Sequence, residues 1–276
     1  MPGFVCEACG TEFPPSPRPP AACPICDEER QFVPASGQAW TTHDALAGTH
    51  SNTFRQHGEG VFAISMAPPF AIGQRAFLLV SPQGNVLWDC STLLDDATIS
   101  LLRALGGVSA IAISHPHFYT TMRRWSDAFG APVHLHADDG QWVVNPGGDL
   151  LFWEGETREL QPGLTLIRCG GHFAGGTVLH RARGPAGGGE LFSGDVLQVA
   201  PDRRHVSFMR SYPNLIPLSA AVVERIVARL APYEFDRIYG AFAEREILED
   251  AAAAVRRSAA RYIRAVSGSG PADEEA

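Results

Sequence analysis

The stretch Ser114-His115-Pro116-His117-Phe118-Tyr119-Thr120 places two imidazoles one residue apart, directly after the apolar residues 110–113. That run reads as a buried strand bounded upstream by Gly106-Gly107. Side chains two apart on extended backbone face the same way, and Pro116 excludes helix and favours an extended or turn-like backbone. Neutral imidazole is a ligand for zinc or iron, so two on one side supply half of a metal site. Two other strand ends offer the missing half. Residues 164–169 run into Gly170-Gly171-His172-Phe173-Ala174-Gly175-Gly176, whose glycines let the backbone bend sharply and present His172. Leu191-Phe192-Ser193-Gly194-Asp195 ends another strand on a carboxylate after a glycine. Four metal-compatible side chains therefore sit at strand ends, each beside a turn signal. Tyr119 adds a phenol: with an ordinary pKa of about 10 it is no base at neutral pH, but it can donate to an oxyanion or ligate as phenolate. Packing at a helix start is its alternative role. Asp89 is a candidate hydrogen-bond partner for a ligating imidazole, while His134 and His136, two apart on a strand, read as structural.

A second set of ligands opens the chain. Cys6-Glu7-Ala8-Cys9 and Cys23-Pro24-Ile25-Cys26 are Cys-x-x-Cys knuckles separated by thirteen residues, the spacing of a structural four-thiolate zinc site. A zinc ribbon or rubredoxin-like appendage over residues 1–36 follows, folded by its metal because so small a segment buries little core. All four coordination positions are thiolates, so no chemistry is assigned there. Five acidic residues (Glu7, Glu12, Asp27, Glu28, Glu29) against two arginines suit docking on a protein or on the rest of the chain.

The elements that must position these residues are legible in outline. At 276 residues, 45% hydrophobic and 19% charged, the chain can bury a full core. A net charge of −8 argues against nucleic acid and anionic membranes, and no apolar run approaches the ~20 residues of a membrane span. Without a secretory signal the expected location is cytoplasmic. Strands are predicted at 61–66, 76–81, 85–90, 132–137, 150–153, 164–169, 177–183, 190–193 and 235–239, with a hairpin turn at Pro82-Gln83-Gly84-Asn85 and a Gly-rich loop at 184–189. Helices are predicted at 95–105, 120–129, 220–230 and 244–266. Residues 37–60, with His43, His50 and His57, show no period and read as surface loop; the tail 267–276 reads as disordered.

The order His-x-His, Gly-Gly-His-x-x-Gly, Ser-Gly-Asp resembles the metallo-β-lactamase superfamily over about residues 55–265, and residues 83–90 resemble that family's early hairpin ending in an Asp. The resemblance implies an α+β, four-layer αββα sandwich at 37–266. It also implies His115, His117 and His172 as ligands of one metal, with Asp195 free to join them. The family's first motif continues with Asp and His for a second metal, where this chain has Tyr119 and Thr120; the family's final histidine falls at Ala241. The second-metal ligands are thus lost. The implied function is a mononuclear metal-dependent hydrolase, with metal-bound hydroxide attacking an ester, thioester, lactone or amide of a small molecule. Asp195 and Tyr119 are its catalytic candidates, and zinc is expected in both ribbon and main domain. One alternative is an iron oxygenase resembling persulfide dioxygenases, using His115, His172 and Asp195 as a two-His-one-carboxylate triad. The other is a metal- or partner-binding protein of the same fold without turnover.

Overall fold

In a computed structural model, described for residues 1–184 and 187–268, the chain divides into two compact units, one ending at Glu154 and one beginning at Gly155. Part of the predicted 184–189 loop, and the predicted disordered tail from 269 onward, lie outside the described residues.

The first unit opens with β1 (Phe4–Cys6), paired antiparallel with β2 (Trp40–Thr42), after which Thr42 caps the short helix α1 (His43–Ala47). A seven-stranded sheet follows in sequence order: β3 (Ser51–Gly58), β4 (Val61–Ala67), β5 (Ala76–Leu79), β6 (Val86–Trp88), β7 (Ala110–Ala112), β8 (Val133–His136) and β9 (Leu150–Trp153). Pairing is antiparallel from β3 to β6 and parallel from β6 to β9. Parallel neighbours need crossovers, supplied here by α2 (Asp96–Ala104), by α3 (Met122–Phe129) and, between β8 and β9, by a connection that holds the 3-10 segment Ala137–Trp142. Asp95 starts α2 by accepting from the Thr98 amide at 2.7 Å, and Gly130 ends α3 at φ 63°. Strands β5, β6 and β8 are buried at every residue, as expected where neither sheet face meets water.

The second unit holds a six-stranded sheet in the order β10 (Thr157–Gln161), β11 (Leu164–Arg168), β12 (Thr177–Arg181), β13 (Glu190–Phe192), β18 (Arg237–Tyr239) and β19 (Glu246–Ile247). Only β13 and β18 run parallel in it. The intervening strands form two small ribbons, β14 (Gln198–Val199) with β15 (Val206–Ser207) and β16 (Met209–Ser211) with β17 (Ile216–Pro217). Val223, Ile226 and Leu230 of α4 (Ala220–Leu230) and Ala251, Ala254, Val255 and Ala259 of α5 (Ala251–Val266) share one core with Ile167, Val178 and Leu191.

The α+β class is as expected, and several local readings are corrected. Residues 37–60 are not a surface loop: β2, α1 and β3 occupy them, and His43 is buried. The closing helix begins at Ala251 rather than 244; Ile247 lies in β19, and Asp250 takes a left-handed backbone (φ 54°) that stops helix from running back through it.

Candidate metal centre

After β7, the Ile113 amide still reaches the His134 carbonyl at 3.3 Å, and the chain leaves the sheet with His115 on extended backbone (φ −171°). Pro116 then begins a single 3-10 turn, Pro116–Phe118, closed by Phe118 N–H to His115 O at 3.1 Å and Tyr119 N–H to Pro116 O at 3.2 Å. Proline is at home on the first residue of a helical turn because its missing N–H would have no partner there. The two histidines thus converge through a helical turn, not through the strand alternation expected from their spacing. Their rings lie 5.1 Å apart at 74°, and both side chains are buried.

Asp89 meets this loop through Ser114. Its Oδ1 accepts from the Ser114 amide and the Ser114 hydroxyl, each at 2.8 Å, and the same hydroxyl oxygen lies 2.8 Å from His115 Nδ1. Serine has one proton to give, and here it goes to the carboxylate. His115 Nδ1 must then be the protonated nitrogen, donating to Ser114 Oγ, which leaves Nε2 as the basic, ligating one. Sequence reasoning proposed Asp89 as a partner for a ligand imidazole; the intermediary serine, although adjacent to His115, was missed.

The other candidates on this unit are placed as follows. Tyr119 is buried, its hydroxyl donates to the Asp139 carbonyl at 3.4 Å, and burial pushes its phenol well above the ordinary value. Thr120 takes a left-handed backbone (φ 38°) and donates through Oγ1 to Cys90 O at 3.3 Å. His136 accepts from the Asp138 amide at 3.2 Å and packs edge-on against Trp153, a structural role. His43, expected in a surface loop, is instead buried; it accepts the Leu94 amide at 3.1 Å, and burial lowers its pKa.

In the second unit β11 gives way to a tight loop in which the Cys169 and Gly170 amides both donate to Gly176 O, at 2.8 and 2.9 Å. Gly171 has φ 89°, where an L side chain is strained, and a Cβ there would press to 3.0 Å on Ile226 Cδ1 and Leu218 Cδ1. His172 follows, buried, with its ring centroid 5.7 Å from that of Tyr212. At the end of β13 the Ser193 amide donates to Tyr239 O at 3.1 Å and Gly194 turns the chain at φ 49°, which places Asp195. Asp195 is buried, and desolvation raises its pKa to about 7. A neighbouring cation reverses that preference, because it favours the carboxylate. Ala241, at the position of the expected further histidine, buries a methyl group instead.

One ligand atom from each of His115, His117, His172 and Asp195 lies within 4.8 Å of the others. Three imidazole nitrogens and one carboxylate oxygen, all buried, fit a divalent metal of the zinc or iron type. Tyr119 is not a member of that cluster.

The four cysteines form a second cluster, 0–1% exposed. Cys6 and Cys26 Sγ are 3.6 Å apart, and Cys9 and Cys23 Sγ are 3.7 Å apart. Disulfides need about 2.05 Å; a tetrahedron with metal–sulfur bonds of about 2.3 Å has edges of about 3.8 Å. The spacing is that of thiolates around a metal. Gln38 Nε2 donates to Cys6 Sγ at 3.1 Å, a hydrogen bond that favours the thiolate form. Hydrogen bonds among the sulfurs hold the Cys6 and Cys23 thiols low and push Cys9 and Cys26 up.

With two mixed sheets, their helices and a histidine-rich cluster, the chain has the fold of the metallo-β-lactamases. A motif mutant of the Cronobacter sakazakii metallo-β-lactamase superposes with a TM-score of 0.51 at 19% identity, over 79% of this chain and 96% of that one. The Hirschia baltica metallo-β-lactamase gives 0.54 at 14% identity, over 76% and 96%, and VMB-1 gives 0.58 at 10%, over 78% and 98%. The chain belongs to the family of YmaE, an uncharacterized protein of Bacillus subtilis (strain 168), with 47% identity over 269 residues, 97% of this chain and 98% of that one. No protein-family model matches it.

Proposed function

We propose that this protein is a mononuclear metal-dependent hydrolase of an ester, thioester, lactone or amide-type small molecule, its main domain (37–266) joined to a structural zinc ribbon (1–36). The carrying observation is the buried cluster of His115, His117, His172 and Asp195, together with Tyr119, Thr120 and Ala241 where ligands of a second metal would stand. A divalent metal in such a site lowers the pKa of a bound water to about 7 and polarises a carbonyl. Around it, Ser114 and Asp89 fix the tautomer and ring orientation of His115, and Asp195 serves as ligand or proton acceptor. Six free cysteines suit a reducing, cytoplasmic setting.

Metal analysis of the purified chain tests the centre. Two equivalents are expected in the wild type and one in His172→Ala; equal content in both sinks the reading. Zinc in the main site is expected, and iron there favours the oxygenase. A screen of thioester, lactone and phosphodiester substrates then tests turnover, which Asp195→Ala should abolish. A second reading, metal binding without turnover, is favoured by the Tyr119 hydroxyl, which donates to the Asp139 carbonyl within the fold. A metal-loaded wild type inert across the screen, with Asp195→Ala indistinguishable from it, supports that reading instead.

A further inference from the structure

We propose that the four-cysteine ribbon is a positioning device for the candidate metal centre, so that loading the ribbon raises the metal affinity of the His115–His117 loop. This rests on the metal-centre reading above. Glu12 follows the first knuckle by three residues and is held by it: Cys6 N–H donates to Thr11 O at 2.9 Å, Gly10 N–H to Cys6 O at 2.8 Å, and Val5 bridges Glu12. A segment with four buried sulfurs and little apolar core takes this shape through its metal.

From that platform Glu12 reaches the loop twice. Its amide donates to the Thr120 carbonyl at 3.0 Å, three residues after His117. Its buried carboxylate accepts from Arg124 Nε at 2.8 and 3.0 Å and from Nη2 at 2.6 Å. Gly10, at φ 80°, lies so close to Thr92 that a Cβ would stand 2.2 Å from Thr92 Oγ1, and the Thr92 carbonyl accepts from Thr121 Oγ1 at 2.9 Å. Thr120 needs this support. Its φ of 38° is costly for a β-branched residue and persists only where surrounding contacts over-determine it. The ribbon supplies one such contact, the Glu12 amide, and the Cys90 carbonyl accepts its side chain. The loop carrying His115 and His117 is therefore anchored at one end by Asp89 through Ser114 and at the other by the ribbon. Coupling between two binding sites is reciprocal, so main-site metal must also favour ribbon loading.

Cobalt(II) titration of the full chain separates the sites, because only the four-thiolate site gives an intense sulfur-to-cobalt charge-transfer band. Wild type is expected to take two equivalents, one with that band. Cys23→Ser should lose the band and weaken the main site on the order of tenfold, the scale of removing an outer-shell support. Thr120→Asn in the same background should restore part of the loss, since Asn tolerates a left-handed backbone. Arg124→Met, with all four cysteines kept, should retain the band and still weaken the main site; it decides the question if Cys23→Ser does not fold. Unchanged main-site affinity in Arg124→Met, or in a folded Cys23→Ser, overturns the coupling and leaves the metal-centre reading intact. A wild type that takes only the thiolate equivalent overturns both.

Discussion

The hydroxyl oxygen of Ser114 lies 2.8 Å from Nδ1 of its neighbour His115, while its O–H donates a hydrogen bond to Asp89 Oδ1. One buried hydroxyl thereby sets which nitrogen of His115 carries a proton. Ser114→Ala should lower main-site metal affinity by about 10–100-fold, the range for losing an outer partner of a ligand histidine. Asp89→Asn should move it the same way. Competition with a chromophoric chelator measures both, and wild-type affinity in Ser114→Ala would exclude the relay.

Metal should leave the two sites in order. The four buried thiolates form a closed set, whereas a histidine–carboxylate site with an open position exchanges more readily. Dialysis against a strong nitrogen–oxygen chelator is expected to take the chain from two equivalents to one. The last should come out only after mercuration of the cysteines. Loss of both equivalents in a single step would contradict the assignment.

Gly10→Ala should destabilise the first unit. The left-handed backbone alone costs an L-residue about 1–2 kcal/mol, and the new Cβ would meet Thr92 Oγ1. A lower thermal midpoint is expected, partly restored by adding Thr92→Ala; a midpoint equal to that of wild type would refute the clash.

Stability should fall on the acid side. His43 keeps a lone pair for the Leu94 amide, and burial, followed by the charge of Arg124, lowers its pKa from 6.5. His180 is lowered by burial too. Each binds a proton more readily when unfolded, so its contribution is present above pH 6.5 and is lost as pH falls through the lowered native value. Urea melts at pH 7.5 and 5.5 should differ less in His43→Gln than in wild type, and an equal difference would rule out the histidine.

The site was more legible than the framework around it, for physical reasons. His172 and Asp195 each follow an apolar strand and a glycine, and both glycine turns are present at φ 89° for Gly171 and 49° for Gly194. The cysteine spacing encodes its own geometry, since each knuckle closes locally. By contrast, β3 is a polar, half-exposed strand at the sheet edge, made extended by its pairing with β4 and not by its own pattern. The short strands from β14 to β17 depend on partners in the same way. Ile247 and Leu248 continue the apolar period of α5, but Ile247 pairs with Ile238, and that contact overrides the period. Pro116 bars helix from running through it out of the preceding strand, yet at the first position of a turn the same residue starts one.

The Glu12–Arg124 pair joins residues 112 positions apart. The four ribbon cysteines fall within the first 26 residues, so a growing chain can capture the ribbon's metal before β3 has been made. Its docking groups must wait until α3 exists, because the loop they close contains β3 to β7, five of the seven strands of that sheet. Synthesis can therefore deliver a finished metal knuckle to an unfinished sheet, and the contacts that brace the turn at Thr120 become available only once residues 120–124 have been made.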